Sequence, residues 1–231
     1  MIKPPRIIED IDWSALTHGG GAADPVTQAS LTALTSGDRA AVDAALAHLA
    51  DDVLHQGSLY PATVPAARYV AALLADPPSA AALPPRVRIR LLGWPAGVAE
   101  AVGGAAEEKI QVWFGYSAPE RVPHFREVRE IRPELYRAAE AQRNDTDPAV
   151  RRAALLAALH LLDDPALAAH REMLAPAVEA ELGGGPEEWQ RTLAARTLAV
   201  WRGEVATTVP DDDLWGGDHR ADRGPVDDPP F

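Results

Sequence analysis

Three times in this chain an aspartate is followed at once by proline and then by apolar residues at helical spacing: Asp24-Pro25, Asp147-Pro148 and Asp164-Pro165. An aspartate at the N-cap accepts the first free amide protons of a helix, and a proline at the first helical position has a suitable φ and no N–H to leave unpaired. After the second pair, Val150, Ala154, Ala157 and Leu161 mark one face, and Leu155, Leu159 and Leu162 widen it, so this helix is expected to be covered on two sides. Leu167, Leu174 and Val178 follow the third pair on a single face, and Val26, Leu31 and Leu34 follow the first. Asp38 heads a further helix whose Val42, Leu46, Leu49 and Val53 share a face, ending near His55 with Gly57 as its C-terminal glycine. Such punctuation points to an all-α chain.

Residues 1–12 are an extended lead-in, with Trp13 and Leu16 as anchors, and His18-Gly19-Gly20-Gly21 is a flexible break. A helix begins near Pro61-Ala62-Thr63 and stops at Asp76-Pro77-Pro78; an apolar segment from about Ser79 to Leu92 is interrupted at Pro84-Pro85. Glycines and prolines punctuate residues 93–122, where Ile110, Val112 and Phe114 alternate as a short strand would. With no second strand to pair with, this stretch is expected to be an irregular insertion of loop and short helix. A heavily charged helix spans about 123–143, and a last helix carries Trp189, Leu193, Val200 and Trp201 as packing residues. Residues 203–231 hold eight acids against Arg220 and Arg223 and read as a weakly ordered acidic tail behind a single domain of residues 1–202.

Composition narrows the function classes. The formal net charge of −12 argues against nucleic acid, whose binding draws on phosphate neutralisation. The absence of cysteine excludes disulfides, thiolate metal sites and cysteine nucleophiles. Met1 to Arg6 lacks the apolar core of a signal peptide, and no apolar run approaches membrane-spanning length, so a cytoplasmic protein without membrane contact is expected. The apolar fraction is rich in alanine and poor in aromatics, which suits thin, closely spaced helix layers.

The run Asp145-Thr146-Asp147-Pro148-Ala149-Val150-Arg151-Arg152-Ala153-Ala154 combines an acidic-proline turn, Val-Arg and small residues. It resembles the signature of HEAT-repeat proteins of the actinobacterial type. Trp13 to His18, with His55-Gln56-Gly57-Ser58-Leu59-Tyr60-Pro61-Ala62-Thr63, resembles the N-terminal half of such proteins. The two stretches frame roughly residues 12–75 and 145–202. The resemblance implies a short α-solenoid of HEAT-like antiparallel helix pairs with a concave face. It also implies that the arginine of the motif lies along an inter-repeat ladder of carboxylates and helix ends. It does not imply a particular activity.

Several polar and aromatic clusters qualify as sites. His55, Gln56 and Tyr60 either face a groove as ligand-binding or proton-transfer groups or serve the junction of two helices. His48 and His55, seven apart on one helix, would make a three-histidine metal site only if His18 joined them, and no metal or cofactor is expected. His160 and His170 bracket Asp163-Asp164, most simply as a solvated hairpin. Glu127, Glu130 and Glu134 alternate with Arg126, Arg129 and Arg132 in the manner of a solvated helix face. Trp94, Trp113 and Tyr116 fall in the irregular stretch, where exposed aromatics favour a binding surface. The glycine runs lack the Lys-Ser/Thr of a phosphate loop, and no complete catalytic motif is present.

The leading reading is a protein-interaction module of adaptor, regulatory or immunity type, binding a partner on the concave face, with a basic partner favoured by charge. The alternative is a small-molecule-binding protein or biosynthetic tailoring enzyme with a polar groove around His55 and Tyr60, and His124 as a further candidate. Either is compatible with an acidic tail lying back on Arg121, Arg126, Arg129 and Arg132.

Overall fold

A computed structural model of the chain describes residues 4–185 and 187–204; the acidic segment from residue 205 onward lies outside the described residues. The fold is all-α, with one two-stranded hairpin among the described residues. The helices are α1 (Pro4–Glu9), α2 (Val26–Ala33), α3 (Arg39–His48), α4 (Thr63–Ala75), α5 (Pro77–Ala82) and α6 (Pro85–Glu100). They continue as α7 (Gly104–Phe114), α8 (Ala118–Arg121), α9 (Pro123–Gln142), α10 (Pro148–Leu161), α11 (Arg171–Ala177) and α12 (Glu188–Trp201).

Aspartates start several of these helices as expected. Asp38 accepts from the amides of Ala40 and Ala41 at α3, and Asp147 accepts from Ala149 at α10. Asp164 accepts from Ala166 at a 3-10 turn, Pro165–His170, that leads into α11. Asp76, expected as a stop, ends α4 and also caps α5 through the amide of Ser79. Asp24 does not cap: Pro25 stands at the N-cap position of α2 without a side-chain bond. Two other expectations fail at the N-terminus. Part of the lead-in is helical (α1), and the glycine run is a turn between β1 (Thr17–His18) and β2 (Gly21–Ala22), paired antiparallel.

The largest departure is in residues 93–122, which are mostly helix. α6 carries straight on through Gly93, Trp94, Pro95 and Gly97, and α7 and α8 follow. The alternation of Ile110, Val112 and Phe114 belongs to α7, not to a strand.

Two layers of parallel helices form the centre. α4 lies along α9, with the side-chain amide of Gln142 donating to the carbonyl of Leu74 where both end (2.7 Å). α6 lies along α10, and α9 packs on α10. Arg88 of α6 binds Asp145 just before α10, and Asp163 just after α10 approaches Gly103 just after α6, so these two helices run in the same direction. Arg151, the arginine of the Val-Arg motif, donates to the carbonyls of Asp145 (3.0 Å) and Thr146 (3.3 Å) and pairs with Glu181 (3.3 Å). It thus stitches the start of α10 to the segment after α11. The core is one continuous cluster from Ile8 to Leu198, with Phe125, Leu91, Leu135 and Leu161 fully enclosed. No helix among the described residues is long and apolar enough to cross a membrane.

Candidate functional site

The six residues singled out in the sequence fall in three places. His55, Gln56 and Tyr60 lie in the connection between α3 and α4. α3 ends in a wider, π-helical turn, Leu49–Val53, followed by a 3-10 turn, His55–Gly57. The Nδ1 of His55 meets the carbonyl of Asp51 at 2.6 Å, so the imidazole closes the end of the wide turn. Gln56 is exposed, with a left-handed φ of 50°. Tyr60 is half-buried, and its amide donates to the hydroxyl of Thr63, which in turn donates to the carbonyl of Val53 (2.6 Å). These contacts make the cluster a helix junction.

The β1–β2 turn presses on that junction. The amide of Gly19 donates to the carbonyl of Asp52 at 2.8 Å. A Cβ on Gly19 would stand 2.9 Å from the Cβ of His55 and 3.2 Å from the Tyr60 hydroxyl; one on Gly20 would stand 2.8 Å from the Asp52 carboxylate. Only glycine allows an approach this close.

Beneath the turn lies a hydrogen-bonded chain that sequence reading missed. The Thr27 hydroxyl meets Nε2 of His48 at 2.9 Å, and Nδ1 of His48 meets the Asp52 carboxylate at 2.9 Å. Hydroxyl, imidazole and carboxylate are thus connected in the order of a nucleophilic triad, but Thr27 is fully buried and its oxygen has no route to a substrate. The chain ties α2 to α3. The i, i+4 spacing of His48 and Asp52 was the available signal.

His18 stands edge-on to His48, with ring centroids 4.9 Å apart, and accepts the amide proton of Gly20 on Nδ1 (2.9 Å). Its Nε2 is buried without a partner. His55 is outside this pair, and among the described residues no three His, Cys, Asp or Glu side chains could together hold a metal ion.

Burial, then the neighbouring His48, lowers the pKa of His18 below its ordinary 6.5; Asp52 and the Ala22 carbonyl oppose this. The unfolded chain therefore takes up a proton near pH 6.5 that the folded chain resists, and stability is lost as pH falls from there through the lowered folded value. Thermal melts at stepped pH are expected to show this decline. In His18→Asn, where an amide oxygen replaces Nδ1 as acceptor, the decline is expected to be shallower. An unchanged slope in the variant would assign the acid sensitivity to another group.

Trp94 is not exposed. It is 8% accessible, and its indole N–H donates to the carbonyl of Leu49 at 2.7 Å, so it anchors α6 to the wide turn. Trp189 departs in the opposite sense. Expected as a packing residue, it is 57% exposed at the start of α12.

Trp113 and Tyr116 do come together. α7 buries none of its residues, yet Val112 and Trp113 are each 72% exposed and Phe114 47%. Gly115 ends the helix in a left-handed conformation, φ 72°, and turns the chain so that Tyr116 stacks on Phe114 with centroids 5.9 Å apart. The base of α7 is held by Arg129, which pairs with Glu107 (2.7 Å), donates to the Val102 carbonyl (3.1 Å) and lies over the Phe125 ring.

The other clusters are internally paired. Arg126 pairs with Glu130 (4.0 Å), Arg132 with Asp164 (3.6 Å), and Arg68 with Glu134 (3.7 Å), while His124 meets Glu127 at 3.3 Å. Of the four arginines expected to receive the acidic tail, Arg126, Arg129 and Arg132 therefore already hold the chain's own carboxylates. His170 packs against Tyr136, whose pKa is pushed up to about 12, chiefly by burial and then by Glu140. No protein-family model, no curated protein and no solved structure matches the chain.

Proposed function

We propose that the chain is a HEAT-like α-solenoid working in the cytoplasm as a protein-interaction module, and that the tip of α7 is its docking element. One observation carries this reading: a helix with no buried residue ends in Val112, Trp113 and Phe114, stacked with Tyr116. Contiguous exposed aromatics on an otherwise polar surface mark binding sites, and tryptophan and tyrosine dominate binding energy where they occur. The tip protrudes, so it suits an apolar cleft on a partner, and the net charge of −12 favours a cleft with a basic rim. The parallel layering of α4 with α9 and of α6 with α10, together with the Arg151 contacts, supports the HEAT-like reading. A small-molecule site at His55 and Tyr60 has less support, because Nδ1 of His55 is engaged by the Asp51 carbonyl and Gly19 closes against both residues.

A photo-crosslinking amino acid at Val112, introduced in the source cell, tests the reading. One discrete heterologous adduct is expected, and the partner so identified should bind purified Trp113→Ala at least about thirtyfold more weakly, the roughly 2 kcal/mol typical of a hot-spot residue. Crosslinking only to a second copy of the chain, or equal affinity for the variant, would overturn it.

A further inference from the structure

Between α6 and α10, bounded at one side by the start of α12, runs a groove of about 560 Å³. That is within the size range of small-molecule sites. Ile89 and Ala96 of α6 and Ala153 and Leu156 of α10 make its floor apolar, and the exposed ring of Trp189 stands at its edge. Gly93 and Gly97 keep the α6 wall low.

The polar groups in this groove differ from those elsewhere in the chain. Acids exceed bases by 12, and three nearby arginines are engaged, Arg88 by Asp145, Arg132 by Asp164 and Arg151 by Glu181. Arg152 lines the groove half-buried and, among the described residues, has no hydrogen bond or ion pair. A guanidinium set into an apolar wall without a carboxylate is a receptor for one, since its planar donors match carboxylate geometry. From the α12 side Gln190 closes the same space, with its Oε1 buried toward Gly185. His160 lies eight residues beyond Arg152 on the same helix, about 12 Å along its axis. Glu100 shares that far end of the groove, and Glu187 stands at the rim. The added negative charge of Glu100 and Glu187 disfavours a doubly charged anion such as phosphate more than a singly charged one.

We infer that this groove binds an amphipathic monocarboxylate, with its carboxylate on Arg152 and its apolar body along the α6–α10 floor beside Trp189. The site is separate from the α7 tip, and the two stand or fall independently.

Titration calorimetry of the full chain with octanoate, 1-octanol and inorganic phosphate tests this. Octanoate is expected to bind saturably at one site, and phosphate neither to bind nor to compete. Arg152→Gln should weaken octanoate at least tenfold and leave octanol unchanged. Gly93→Leu provides a second variant. Gly93 lines the groove and a Cβ there meets nothing within 4 Å, so the backbone accepts a side chain that narrows the groove, and replacing a mid-helix glycine favours the helix. This variant should fold as well as the parent and lose octanoate. Octanoate that fails to saturate, binds either variant as it binds the parent, or is displaced by phosphate overturns the inference.

Discussion

Replacing Arg132 by alanine is expected to lower folding stability by about 3–5 kcal/mol, the cost typical of removing one member of a buried ion pair. Arg132 is 3% exposed in the middle of α9 and donates to the Ala99 carbonyl at the end of α6 (2.5 Å). It also pairs with Asp164 (3.6 Å), the residue that caps the turn after α10. One guanidinium therefore holds the ends of two parallel helices against a third. Burial draws its pKa below the ordinary arginine value, with Arg129 adding to this, while Asp164 and Asp163 hold the charge in place. Alanine leaves the Ala99 carbonyl and the Asp164 carboxylate without that cation. The double variant Arg132→Met, Asp164→Asn removes both charges, keeps a capping side chain and fills most of the volume, so it should recover much of the loss. Urea midpoints of the parent, Arg132→Met, Asp164→Asn and the double variant close the cycle, with Arg132→Ala measured beside them. A loss below about 1 kcal/mol for Arg132→Ala would show that the pair contributes little beyond its solvation.

How far these features could be read in advance depends on whether a residue's job is local. α10 was legible because its cap, its first-turn proline and its doubly apolar face lie within fifteen residues, from Asp147 to Leu161. α7 was not, because apolar periodicity marks a helix only when one side packs, and α7 packs almost nothing. Its remaining signals were the helix formers Ala105 to Lys109 and the glycine at 115. α6 was cut short because Gly93, Pro95 and Gly97 look like punctuation, whereas contact with α10, α4 and α9 outweighs their poor propensity. The His18 turn looked like a break for the same reason: its glycines answer to Asp52, His55 and Tyr60, more than thirty residues away. Of the candidate site, Trp113 and Tyr116 were found through residue type alone. Arg152 was hidden within the Val-Arg motif, since only three dimensions distinguish an engaged arginine from a free one.

A second large effect is expected at Trp94. Trp94→Ala is expected to cost about 3–5 kcal/mol, as for other buried aromatics removed from a core, because it empties the contact between α6 and the Leu49–Val53 turn. Trp94→Phe should cost far less. It keeps most of the ring volume, and the Leu49 carbonyl that loses the indole N–H still accepts from the amide of Leu54 at 3.1 Å. With no acceptor orphaned, about 0.5–1.5 kcal/mol is the expected loss, the net worth of one hydrogen bond. The two substitutions separate the ring from its N–H. Similar losses for both, measured by denaturant titration, would mean that the hydrogen bond and not the packing holds α6 to the turn. The expected inequality would make Trp94 a structural strut and leave Trp113, with Phe114 and Tyr116 beside it, as the aromatic group near α7 whose rings a partner can reach.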